Sequence, residues 1–201
     1  MNSSTAHENS EVRQNLLDTG QRIMAGKGFS AVGLNEILTT AGVPKGSFYH
    51  YFGSKDAFGE ALLERYFEEY LADFDATLCK PGLTMAARLV MYWQQWQDNQ
   101  SFFDCQGKCL AVKLGAEVAD LSESMRSVLK RGTSSVVSRI AGAIKAGVAE
   151  GSLSISQDPE AVAQSLYQLW LGASVMVKIV RNTEPFNTAM TTTREIPHIG
   201  S

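Results

Sequence analysis

Apolar residues recur along the chain at helical intervals, and glycine, proline or polar breaks separate one run from the next. Val12, Leu16, Ile23 and Met24 carry a first helical stripe that stops at Gly26-Lys27-Gly28. Gly33 can cap a short second helix, with Glu36 three residues on, and that helix ends at Ala41-Gly42. Pro44 suits the first turn of a third helix, because no N–H is needed there. Gly53 breaks it, and Ser54 caps a long fourth helix through Leu62, Leu63, Tyr66, Tyr70 and Phe74.

Lys80-Pro81-Gly82 is the next clear breaker. Beyond it Leu89, Tyr92, Trp93 and Trp96 share one helical face, and Gly107 is expected to open a helix running to Val118. Ser122 caps a long helix ending near Glu150-Gly151, and Asp158-Pro159 begins another. Pro185 starts a last, weaker helix, with a frayed tail expected from Ile196. No run alternates with period two, so the fold class is all-α.

The stretch PKGSFYHYF, Pro44 to Phe52, changes this picture from fold to function. Two short helices joined by a tight glycine turn, after a longer one, are the parts of a helix-turn-helix. At about 100° per residue, Lys45 and Tyr49 share a side of the second short helix and Gly46 and His50 continue it. Phe48 falls on the opposite side, free to anchor the helix inward together with Phe52. No acid lies between Glu36 and Asp56, so this surface suits a polyanion. Lys55 sits in the first turn of the fourth helix, where a cation meets the dipole unfavourably by roughly 0.3–1 kcal/mol. A phosphate would reverse that sign.

Composition narrows the rest. The net charge of −3 makes any basic surface local. The longest nearly apolar run, Leu169 to Val177, falls far short of the ~20 residues of a membrane span. The polar N-terminus lacks the apolar stretch of a signal peptide. Three cysteines argue against a disulfide framework, and the expected location is the cytoplasm. Cys79 and the three histidines show no metal-ligand spacing, so no metal or cofactor is expected.

GFSAVGLNEILTTAGVPKGSFYHYFGSKDAF, Gly28 to Phe58, resembles the DNA-binding domain of the TetR family of transcriptional regulators. The matching residues are Gly28, Phe29, Glu36, Ile37, Ala41, Gly42, Val43, Lys45, Gly46, Phe48, Tyr49, Phe52, Ser54 and Lys55. The resemblance implies a helix-turn-helix domain over residues 1–55 and a helical sensing and dimerisation domain over 56–201, connected by the helix 54–78. It puts Lys45 and Gly46 at base edges with Ser47 beside them, and Tyr49, His50 and Lys55 on the phosphate backbone. Tyr51 stands where the family usually has a histidine and keeps a hydroxyl. Val32-Gly33 replaces the usual hydroxyl pair at the start of the second helix, so the phosphate contact that the resemblance implies there is either missing or made by backbone N–H. The implied partners are double-stranded operator DNA, a second copy of the chain, and an inducer.

CQGKCLAVKLGAEVADLSESMRS, Cys105 to Ser127, and LYQLWLGASVMVKI, Leu166 to Ile179, resemble the electrophile-sensing repressors of N-ethylmaleimide reductase genes within that family. That resemblance places Cys109 and Lys178 at shared sensor positions. Physically, Cys109 follows Lys108, lies near a helix start and has Lys113 one turn on. Helix N-termini and ammonium groups favour the thiolate, the form that attacks electrophiles. Lys178 within an apolar face needs an anion, and a thiolate is one. Other readings stand beside these: Cys109 as a small core residue, Lys178 reaching out to solvent, and Cys105 and Cys109 as a reversible disulfide. Tyr92, Trp93, Trp96 and Tyr167 are candidate pocket walls or plain core. Leu166, Leu169, Trp170, Ala173 and Val177, with Val162, form a broad apolar face for a partner subunit or the interior. Beside a cysteine-triggered repressor stand three alternatives: a repressor induced by a non-covalent apolar ligand, a thiol enzyme using Cys109, and a helical interaction module.

Overall fold

The computed structural model describes residues 3–105 and 109–195, with side chains from Ser10 to Gln100 and from Cys109 to Glu195. Among these residues every regular element is α-helical: α1 (Ser3–Lys27), α2 (Leu34–Ala41), α3 (Lys45–Phe52), α4 (Lys55–Leu78), α5 (Met85–Cys105), α6 (Leu110–Leu121), α7 (Glu123–Ala149), α8 (Pro159–Val180) and α9 (Glu184–Glu195). The starts follow local chemistry. The Ser54 hydroxyl accepts from Ala57 N–H at 3.0 Å, and Asp158 accepts from Ala161 N–H at 3.0 Å with Pro159 next to it. Ser122 caps α7 through Met125 N–H. Pro44 proves to be the N-cap of α3, one position before the first turn expected for it. Gly107 and the tail from Ile196 lie outside the described residues, and α6 continues past Val118 to Leu121.

Two apolar clusters fill the molecule. One joins α1, α2, α3 and the first half of α4, through Leu16, Ile37, Phe48, Phe58 and Leu62. It also takes Leu110, Leu114 and Val118 from α6 and Met125, Val128 and Leu129 from α7. The second joins the end of α4 with α5, the rest of α7, α8 and α9. Its centre is a stack of Trp93, Trp170 and Phe186, with ring centroids 4.9 Å and 5.7 Å apart. Trp170 of this stack donates its indole N–H to Thr193 Oγ1 at 2.8 Å, and neighbouring Trp96 donates to Ser174 Oγ at 2.9 Å.

Helices α4 and α7 run through both clusters and press closely together. A Cβ on Gly132 would lie 2.3 Å from the Phe67 ring, so only glycine permits this crossing. The face of α8 expected to meet a partner is interior instead. Leu166, Trp170, Ala173 and Val177 are buried in the second cluster, and Leu169 packs half-buried against it. The reason is a neighbour invisible in a one-dimensional pattern: α5, α7 and α9 enclose that side. The exposed apolar stripe of α8 is Val175, Met176, Ile179 and Val180.

Candidate nucleic-acid interface and effector cavity

Helix α3 is held by one side and open on the other. Phe48 is fully buried against Phe52 and Phe58, with centroids 5.3 Å and 5.5 Å away, a burial worth roughly 1.5–3 kcal/mol. Lys45, Gly46, Tyr49 and His50 are exposed, and Ser47 is half-exposed beside them. Tyr51 is partly buried against the first cluster, its ring edge-on to His50 at 5.1 Å. The turn before α3 is fixed from outside as well. Asn15 Nδ2 of α1 donates to the Ala41 carbonyl at 2.9 Å, closing the end of α2.

Lys55, expected on the phosphate backbone, has a partner within the protein. Its Nζ donates to the Phe29 carbonyl at 2.8 Å and lies 4.4 Å from the centre of the Phe29 ring. A carbonyl and an aromatic face compensate the unfavourable helix dipole there. The same turn holds a residue that sequence reading missed. Glu117 of α6 accepts from Phe29 N–H at 3.0 Å through Oε2 and from Ser30 N–H at 2.7 Å through Oε1. Gly28, at φ +91°, makes room: a Cβ there would stand 2.9 Å from Glu117 Oε2. Partial burial alone would raise the Glu117 pKa, but the hydrogen bonds from Ser30 and Phe29 and the nearby Lys55 ammonium outweigh it and hold it below the ordinary value. No short-range pattern marks Glu117, because its partners lie 87 and 88 residues away.

At the other end of α6, Cys109 is the N-cap. It is half-buried, and its Sγ lies 3.1 Å from the Tyr66 hydroxyl. It also lines a cavity of about 500 Å³ between α4 and α5. Tyr66, Tyr70 and Phe74 of α4 and Tyr92 and Trp96 of α5 supply aromatic walls, and the Tyr70 and Tyr92 hydroxyls meet at 2.6 Å. Of the four expected wall residues, Tyr92 and Trp96 line the cavity. Trp93 stacks in the core, and Tyr167 is buried edge-on to Trp96. Burial first, and a charge on Cys109 next, push the Tyr66 pKa well up; burial and neighbouring tyrosines do the same for Tyr70. Both phenols are therefore protonated at neutral pH, and Tyr66 can donate to a thiolate.

Lys178 lies half-buried in the last turn of α8, a helix that packs on α6. The Cys105 side chain lies outside the described residues. Among the described residues no cluster of potential metal ligands occurs, and no helix is long and apolar enough to cross a membrane.

Comparison with known proteins matches this geometry. Residues 16–62 match the family described as bacterial regulatory proteins, tetR family, and residues 86–193 match the tetracyclin repressor-like C-terminal domain. The chain is 40% identical over 196 residues to the HTH-type transcriptional repressor NemR of Escherichia coli strain K12, covering 98% of this chain and 97% of that one. It is 32% identical over 183 residues to the transcriptional regulator AcuR of Cereibacter sphaeroides, covering 91% and 84%. The crystal structure of the reduced form of E. coli NemR superposes with a TM-score of 0.90 at 41% identity, over 95% of this chain and 99% of that one. An exposed α3 face, a helix-turn-helix packed on a helical C-terminal half and these matches together make the chain a member of the TetR family of DNA-binding transcriptional regulators, not an enzyme.

Proposed function

We propose that the protein is a homodimeric repressor that leaves its operator when Cys109 is alkylated or oxidised. One observation carries the reading: α6 begins at a thiol set in a cavity wall and, two turns later, grips the turn between α1 and α2 through Glu117. A bulky adduct on Cys109 fills the cavity against α4 and α5, breaks the contact with the Tyr66 hydroxyl and so loads the start of α6. Because α6 holds the helix-turn-helix, that load favours a spacing of the two recognition helices that no longer fits successive major grooves. The similarity to NemR, a named transcriptional repressor, supports repression as the output. The deciding experiment is operator binding by Cys109→Ser with and without N-ethylmaleimide. Retention on DNA supports the thiol; normal release points to a non-covalent ligand in the cavity instead.

On DNA, Lys45 and Gly46 face base edges, Ser47 and Tyr51 flank them, and Tyr49 and His50 approach phosphates. Lys55 holds the Phe29 turn that supports them. Lys45→Ala is expected to cost about 1–3 kcal/mol on the operator and to relax base preference at one position in each half-site. Competition binding against single-base operator variants measures this. A uniform loss on every variant would instead assign Lys45 to the backbone.

The second copy docks through the exposed α8 stripe. Four apolar side chains at 43–66% exposure on one helix form a patch rarely left open to water. A two-fold operator also needs recognition helices about 34–36 Å apart, which one chain cannot provide. Ile179→Glu is expected to yield a folded monomer by analytical ultracentrifugation, with operator affinity down by more than tenfold; an intact dimer would place the interface elsewhere.

A further inference from the structure

We infer that the cavity beside Cys109 takes a small organic cation, a protonated amine or amidinium carried on an aromatic body. This rests on reading the cavity as the effector site and names the class of molecule that fits it. Glu69 and Asp73 stand one turn apart on α4 and both line the cavity. Glu69 shares its charge with Arg65 Nε at 3.4 Å, whereas Asp73 makes no ion pair among the described residues. The rings of Tyr70, Tyr92 and Trp96 line the same cavity, packed edge-on to one another, and aromatic faces attract cations.

Deeper in, Gln100 is 4% exposed and lines the cavity, yet its Oε1 has no hydrogen-bond partner. A buried acceptor left bare costs free energy that an N–H donor from a ligand recovers. Carboxylates at the mouth, aromatic walls and a bare acceptor at depth all favour a positively charged donor over an anion. The cavity volume of about 500 Å³ admits a two-ring molecule.

The test uses the dimeric Cys109→Ser protein, so that no thiol chemistry contributes. Isothermal titration calorimetry with 2-naphthylmethylamine, a cation at neutral pH, is compared with 2-naphthoate, an anion of similar size. The cation is expected to bind at least about tenfold more tightly. Asp73→Asn, a change at an exposed position, should weaken the cation several-fold and leave the naphthoate unchanged. Equal or tighter binding of naphthoate overturns the inference, as does the absence of saturable cation binding up to millimolar concentrations. Failure here leaves release by N-ethylmaleimide untouched, since that is read on the wild-type thiol, so the two readings can fall separately.

Discussion

Treatment with N-ethylmaleimide will weaken operator binding by the wild-type protein about 5- to 150-fold, the range typical of coupled sites, and Cys109→Ser will abolish the effect. The thiolate adds to the maleimide double bond; a carbon–sulfur bond forms and the adjacent carbon takes up a proton. The adduct has to enter the cavity that Cys109 lines, and it replaces the contact of Sγ with the Tyr66 hydroxyl at 3.1 Å, next to the fully buried Leu110. Exposed Cys79 also reacts, so Cys79→Ser is the control and should be released like the wild type. Fluorescence anisotropy on labelled operator measures both. Protection by Cys79→Ser with release of Cys109→Ser would remove Cys109 from the sensing role altogether.

Glu117→Ala is expected to produce the second large effect, a loss of coupling. Two backbone N–H groups, on Phe29 and Ser30, lose a charged acceptor, and the fold should be destabilised by about 2 kcal/mol. More tellingly, the alkylated variant should stay on the operator with near-normal affinity, since α6 no longer pulls on the α1–α2 turn. The carboxylate pKa is lowered in the folded protein, so its stabilisation is complete above about pH 4.3 and fades as pH falls through the lower folded value. The stability gap between wild type and variant should therefore narrow only in acid. A variant with the expected drop in melting temperature but full release by N-ethylmaleimide would show that Glu117 is structural and that the signal travels by another route.

Local signals made much of this molecule readable. Ser54, Ser122 and Asp158 announce helix starts through caps completed within three residues, and Gly33 and Gly42 bracket a helix too short to be anything else. The outward Lys45–Tyr49–His50 face followed from helical period alone, since α3 has one inward side. What escaped depends on contacts between distant segments. The partner of Lys55 lies 26 residues away and the partners of Glu117 nearly 90. The α8 face stayed open between partner and interior because apolar residues occupy nearly its whole circumference, and only packing tells which side remains open. Tyr66, Tyr70 and Phe74 looked like an ordinary stripe on α4 and turned out to form a cavity wall.

The first apolar cluster crosses the line at which the helix-turn-helix would be cut out. Leu110, Leu114, Val118, Met125, Val128 and Leu129 complete the packing around Leu16, Phe58 and Leu62. A fragment ending near residue 55 would lose Phe58 and Leu62 as well, leave Leu16 and Phe48 open to water, and should be molten or aggregated. Grafting this reader onto a different receptor half thus demands matching replacements for α6 and the first turns of α7. Exchange among such regulators is constrained by a seam of six side chains rather than by the reading head itself.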